Sequence, residues 1–389
     1  MKIRLQLGAF AASLGLLSGA PAHADIKVGF TGVLSGPQAA LGQDQHDGFI
    51  LGLEMLGGTL GGQKVDMVVE DDQIKPDVGV QILQKFLERE RVDVVVGLGF
   101  SNVLMAQARR IKDSGIPAIA TNAGPAPLAG KMCTANLFGL AWQNDMSAES
   151  MGQYAQNKGY KRAALITSNY QAGRDKLAGF KRFFKGEVVS EAYTQLGQLD
   201  YSAEIANIQK TNPDVVFAFY PGGAGVNFVR QMKQAGVMDK IPFLADNMID
   251  ANTLAAMKTD AIGAIYGMHW GKVLDNPQNK RFVEAYEKRF KREPTEYAAV
   301  GFDAAYLLDA AVKKLDGKVS DRAAFTKAIK EAGSEFKSVR GNFQFNRNNM
   351  PIVDYQAYEI VPDGSSYGIK VLETVFKNHQ DSYVDECKL

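Results

Sequence analysis

Strand and helix signals alternate along almost the whole chain. That alternation restricts it to sheets of mostly parallel strands with helices over both faces. Ile26 to Phe30 reads as a strand and Gln38 to Leu56 as a helix, with apolar residues at Phe49, Ile50, Leu53 and Leu56. Strands Val65 to Glu70, Val92 to Val96 and Ile116 to Ala120 follow, separated by helices Asp77 to Arg89 and Asn102 to Ser114. Runs such as Val94-Val95-Val96 are apolar without interruption, as strands buried on both faces must be.

The rhythm restarts after Trp142-Gln143-Asn144-Asp145. Strands Ala163 to Thr167, Val188 to Tyr193, Val215 to Phe219 and Pro242 to Ala245 alternate with helices Met146 to Lys158, Gly173 to Phe184, Ser202 to Lys210 and Val226 to Ala235. The fold class is therefore α/β, with two doubly wound Rossmann-like lobes. A third section, Asn276 to Ala332, is mostly helical and ends in strand-like Asn342 to Phe345 and Tyr355 to Ile360. Having no strand partner of its own, it is expected to return to the first lobe.

The first 24 residues have the make-up of an export signal. Lys2 and Arg4 precede an apolar stretch, Leu5 to Leu17, and Ala22-His23-Ala24 forms a small-x-small cleavage site before Asp25. The stretch is shorter than the roughly 20 residues that span a bilayer. Cleavage after Ala24 and release into a bacterial periplasm are expected, out of reach of cytosolic ATP and nicotinamide cofactors.

Charge excludes another class. The chain has 44 Lys+Arg against 43 Asp+Glu, and loss of Lys2 and Arg4 leaves 42 against 43. Nothing here attracts nucleic acid. Cys133 and Cys387 are the two cysteines. In an oxidising compartment they are expected to form a disulfide, the alternative being one buried thiol and one exposed tail thiol.

Three Gly-rich or small polar loops stand at the carboxyl ends of expected strands: Gly97 to Asn102, Asn122 to Pro125 and Tyr220 to Gly225. Parallel sheets bind ligands at that edge, where helix amino termini present free N–H groups. Each loop alone could be a tight turn; three of them, spread over both lobes, point to one cleft. The Gly97 loop is G-x-G-x-x-N, without the third glycine of a dinucleotide fingerprint, and Gly124 to Lys131 has the wrong spacing for a phosphate loop. Gly99 to Val103 misses the nucleophile-elbow pattern. His46, His269 and His379 have no metal-ligand spacing, and Glu70-Asp71-Asp72 lacks converging oxygen ligands. No catalytic residue, metal or cofactor is expected.

Taken together, Ile26 to Phe30, Leu34-Ser35-Gly36-Pro37 with Gly42, Glu70-Asp71-Asp72, Val94 to Gly97 with Ser101, Tyr170 to Gly173, Pro213 to Val216 and Gln231 to Gly236 resemble the branched-chain amino-acid-binding family. These are type I periplasmic solute-binding proteins of ABC importers. The resemblance spans the mature chain and implies three hinge crossings, near Asn144, Gly267 to Gly271 and Asn346 to Met350. The expected division is 1–24 signal, 25–143 with 270–347 as one lobe, and 144–269 with 348–389 as the other. Partners implied are a small carboxylate and a membrane permease, with the receptor itself a monomer.

By the same resemblance, Ser101 and the Asn122-Ala123-Gly124 loop hold a carboxylate, helped by the helix start at Asn102. Leu41 faces the apolar part of the solute. In the second lobe Ala172 and Ala224 stand where closing aromatic residues are common, and Asn247 where an acidic partner for an ammonium is usual; Asp246 is one residue away. Phe100 to Asn102, Tyr170 to Gly173 and Pro221 to Gly225, with Gly222 and Gly223 among the last, form a pattern similar to the branch associated with benzoate- or cinnamate-type acids. Phe100, Tyr170, Tyr220 and Trp270 are candidate platforms for a ring, Tyr220 and Trp270 being equally readable as hinge or core packing. The alternatives are a branched-chain amino-acid receptor, a sensor ectodomain and, more remotely, a secreted hydrolase pairing Ser101 with His269.

Overall fold

The computed structural model describes residues 25–389, so the expected export signal lies outside the described residues. The first sheet contains β1 (Ile26–Gly32), β2 (Thr59–Leu60), β3 (Gln63–Asp71), β4 (Val94–Gly97), β5 (Ala118–Ala120) and β6 (Leu137–Gly139), in the order β2-β3-β1-β4-β5-β6. All pairs are parallel except the β2–β3 hairpin. Phe30 of β1 lies beside Val69 on one side and Val96 on the other. Because β3 and β4 leave β1 in opposite directions, a crevice opens at the carboxyl ends of β1 and β4.

The second sheet contains β7 (Arg162–Ser168), β8 (Glu187–Thr194), β9 (Val215–Phe219), β10 (Phe243–Ala245), β11 (Ala264–Met268), β12 (Gln344–Phe345), β13 (Pro351–Asp363) and β14 (Ser366–His379). Its order is β12-β13-β11-β10-β9-β7-β8, with β14 added to β13. Strands β7 to β11 run parallel, and the β13–β14 hairpin closes the edge antiparallel. The expected strand Tyr355 to Ile360 is only the middle of β13, and β14 was not anticipated at all. No residue of β14 is fully buried, so it carries no apolar run to read.

The helical section returns to the first lobe. Its helix Glu296–Lys314 lies along helix Ala39–Met55 so closely that a Cβ at Gly48 would stand 1.9 Å from the Ala298 carbonyl oxygen. Any side chain at Gly48 would force the two helices apart. The chain thus passes between lobes three times: after β6, after β11, and at the short β12, which already pairs with β13 of the second sheet.

The last residues join both lobes. His379 Nε2 meets Glu149 Oε2 at 2.6 Å and the Tyr383 hydroxyl donates to Asp145 Oδ2 at 2.7 Å, both on the first helix of the second lobe. Cys387 is then bonded to Cys133, which follows β5 in the first lobe. The tail therefore straddles the lobes instead of belonging to the second alone.

Candidate ligand-binding site

The loops at the carboxyl ends of the strands meet across a small closed cavity of about 20 Å³. That is room for roughly one water, so the lobes have closed upon each other and a solute enters only when they part. Cross-lobe hydrogen bonds hold this state. Asn252 Nδ2 donates to Asp44 Oδ2 at 2.7 Å, and the Tyr297 hydroxyl donates to the Asn247 carbonyl at 2.9 Å.

From the first lobe come Leu41, Gly99, Phe100, Ser101, Asn122 and Ala123. Helix Ser101–Ser114 begins directly after β4, and no side chain caps it at Phe100. Its first-turn N–H groups are left for another acceptor. Asn144 Nδ2 donates to Ser101 Oγ at 3.0 Å, which uses a lone pair and leaves the hydroxyl proton free to be donated. The same Asn144 accepts the Gly124 N–H through Oδ1, and its Nδ2 also donates to Asp175 Oδ2 at 2.8 Å. Burial raises the pKa of Asp175, opposed by these hydrogen bonds.

The second lobe and the crossings contribute Tyr170, Ala172, Lys176, Phe219, Pro221, Asn247, Trp142 and Asn144, and helix Glu296–Lys314 adds Tyr297. Tyr170 stands between Phe100 and Phe219, its ring centroid 6.2 and 6.3 Å from theirs. Burial, with the negative charges of Asp246 and Asp175, drives its phenol pKa far up, so it remains neutral. Lys176 is the one charged side chain among the described residues lining the cavity, and it is 1% exposed. Its Nζ donates to Asp246 Oδ1 at 2.7 Å and to Ser147 Oγ at 2.8 Å, and lies 5.1 Å from the Phe219 ring centre. One of its three N–H donors is left over.

The structure brings together Leu41, Phe100, Ser101, Asn122, Ala123, Tyr170, Ala172 and Asn247 around this cavity. Other expected residues lie outside the lining, each for a physical reason. The Asn102 amide turns away to the Ile74 carbonyl, and the Gly124 N–H is taken by Asn144. The Ala123 N–H is likewise spent, on the Leu98 carbonyl. Tyr220 is fully buried against Tyr201 and Phe228, so it is core packing and not a platform. Trp270 donates from Nε1 to Asn279 Oδ1 and packs on Phe282. Gly223, Ala224 and Gly225 begin a helix three residues earlier than the periodicity indicates, with Gly222 as its cap, which takes Gly222, Gly223 and Ala224 out of the lining. Asp246 faces Lys176, not the cavity; Asn247 does line it.

Ser101 and His269 form no dyad. His269 packs edge-on against Trp142, neither ring nitrogen has a hydrogen-bond partner, and burial keeps its pKa well below the usual value. Trp142, Phe219 and Tyr297 also line the cavity. Those three and Lys176 were not anticipated in the lining. Phe219 reads as the end of a buried strand, and a lysine on a helix reads as solvent-facing.

The profile of the periplasmic binding protein family matches residues 25–365. The chain belongs to that family. This periplasmic binding protein is a solute receptor, not an enzyme. It is similar to Leu/Ile/Val-binding protein homolog 6 of Brucella melitensis, 26% identical over 378 residues, covering 93% of this chain and 94% of that protein. Among solved structures, an R. palustris ABC-transporter solute-binding protein in complex with benzoate is 30% identical with a TM-score of 0.88, covering 94% of this chain and all of that one. A leucine-binding protein of Thermotoga maritima shares the fold at 20% identity and a TM-score of 0.79, covering 90% and 98%.

Proposed function

We propose that this protein is the substrate-binding component of an ABC importer whose cleft closes over a small aromatic carboxylate of benzoate or cinnamate type. The observation that carries the reading is the charge and shape of the lining. Phe100, Tyr170, Phe219, Trp142 and Tyr297 present aromatic surface around one cation, Lys176. Asp246, the nearby carboxylate, holds that cation and Ser147 through Oδ1, while its Oδ2 is buried without a partner and lies outside the cavity lining. An amino acid would bring an ammonium that finds Asn247 where it needs a carboxylate. A carboxylate instead meets the Ser101 hydroxyl proton, the Asn122 backbone and the start of helix Ser101–Ser114. The benzoate complex of the R. palustris relative supports the same class.

Binding is a two-lobe event. The aromatic faces of Phe100 on one lobe and of Tyr170 and Phe219 on the other close on a flat ring, and the apparent affinity includes the cost of closure. The closed form is then the shape a membrane permease recognises. We further read the mature receptor as a monomer beginning at Asp25 in the periplasm, which amino-terminal sequencing and sedimentation check.

A second reading, a branched-chain amino-acid receptor, is favoured by the names of the Brucella relatives. A thermal-shift panel separates the two, because a ligand at 100 times its Kd adds about 2.7 kcal/mol to native stability. Benzoate or cinnamate is expected to raise the midpoint and leucine to leave it unchanged. Stabilisation by leucine or valine with none by any aromatic acid overturns the proposal.

A further inference from the structure

A second cavity, of about 300 Å³, opens at the second lobe crossing and shares no lining residue with the solute cleft. Its walls come from five parts of the fold: Asp250 and Leu254 at the helix Ala251–Met257, Tyr266 and Met268 of β11, Trp270 of the crossing, Glu296 of the helix that packs on the first lobe, and Tyr367 of β14. Consecutive residues divide the work, since Tyr297 lines the solute cleft and Glu296 the second cavity.

Two carboxyl groups here lack the partners that buried charges require. Asp250 is 5% exposed and Glu296 4%. Asp250 Oδ1 accepts the N–H groups of Asn252 and Thr253 and caps the helix Ala251–Met257, while Oδ2 is buried with no hydrogen-bond partner. Glu296 Oε1 is buried and equally unpartnered. The cations nearby are already committed. Lys272, on the rim, pairs with Glu293, and Arg292 pairs with Asp44 and Asp47. A buried carboxylate without a cation is costly, and two of them line this cavity. Burial raises both pKa values, that of Asp250 to about 7; the charge of Asp44 adds to each, and that of Asp250 adds to the rise at Glu296.

We propose that this cavity is a binding site for a small organic ammonium ion, seated with its charge on Asp250 and Glu296 and its apolar body against Tyr266, Trp270, Met268 and Tyr367. The aromatic walls favour an alkylated cation over a bare metal ion, which would need several more oxygen ligands than two carboxyl groups supply. Since the walls belong to both lobes and to a crossing, an occupant ties the lobes together in the closed state. This site is independent of what the solute cleft binds.

The test is calorimetric titration of the full mature protein with n-butylammonium and tetramethylammonium chloride, against sodium chloride, n-butanol and magnesium chloride. Saturable binding of at least one ammonium salt is expected, with no heat from sodium chloride or the neutral alcohol. Asp250→Asn, which keeps the capping oxygen, and Glu296→Gln should each weaken that binding at least tenfold. The circular-dichroism spectrum of each variant checks that it is folded. Three results overturn the proposal: no ammonium binding to the unmodified protein, which leaves the pair merely sharing a proton; equal binding to both folded variants; or binding of magnesium but of neither ammonium ion.

Discussion

Lys176 Nζ and Asp246 Oδ1 stand 2.7 Å apart with both side chains at most 1% exposed, so an ion pair is buried in the wall of the solute cleft. Ser147 bonds both partners, and the Asn247 N–H bonds the carboxylate. Breaking such a pair leaves an uncompensated buried charge. Asp246→Asn or Lys176→Met alone is therefore expected to cost about 3–5 kcal/mol in urea unfolding. The double variant Lys176→Met/Asp246→Leu should cost less than either, while binding an aromatic acid at least tenfold more weakly because the cleft has lost its cation. A double variant that binds benzoate as well as the parent removes Lys176 from solute recognition.

Closure can be weakened without touching the cleft. Asn252 Nδ2 bonds Asp44 Oδ2 across the lobes, outside the cavity lining. Asn252→Ala is expected to lower solute affinity roughly three- to tenfold by reducing the closed fraction, since apparent Kd scales inversely with that fraction. Small-angle scattering of the unliganded variant should show a larger radius of gyration than the parent. Unchanged affinity together with unchanged scattering would show that this bond does not hold the lobes.

Asp72 follows β3 in a buried position, with Oδ1 accepting the Ile74 N–H and Oδ2 without a partner. Burial, with Asp71 adjacent, raises its pKa from 3.8 to about 6. The folded state then holds a proton that the unfolded chain releases between about pH 4 and 6, so stability falls as pH rises through that window. Asp72→Asn should leave stability near pH 4 nearly unchanged and raise it at pH 7.5, by at most about 3 kcal/mol. Denaturation at the two pH values checks the sign; a gain confined to pH 4 refutes the account.

The Cys133–Cys387 bond spans 254 residues and ties the tail to the first lobe. Closing so long a loop restricts the unfolded chain, and its loss is expected to cost about 2–5 kcal/mol. The thermal melt in reductant and that of Cys133→Ser/Cys387→Ser should agree with each other and lie below that of the oxidised protein. A melting point indifferent to reductant would show that the tail is held by Glu149 and Asp145 alone.

Much of the architecture is written in the sequence because it depends on local patterns. Continuous apolar strands such as Val94 to Val96, the helices between them and the restart after Asn144 require two parallel sheets, and family resemblance extends this to three crossings. Ser101, Asn122, Ala123 and Tyr170 were also legible, since loops at the carboxyl ends of such strands must surround a crevice. The β14 strand was not, because a half-exposed edge strand carries no apolar signal.

Only the tertiary structure decided which neighbours face the cavity. Asn247 lines it while Asp246, one residue earlier, turns to Lys176. Tyr297 faces one cavity and Glu296 another. Adjacent residues have nearly the same local propensity but diverge by a rotation about the backbone, and the partner that fixes the rotation lies far along the chain. Lys176 and Asp246 are 70 residues apart. The lining is therefore set by long-range pairing, which no local pattern encodes.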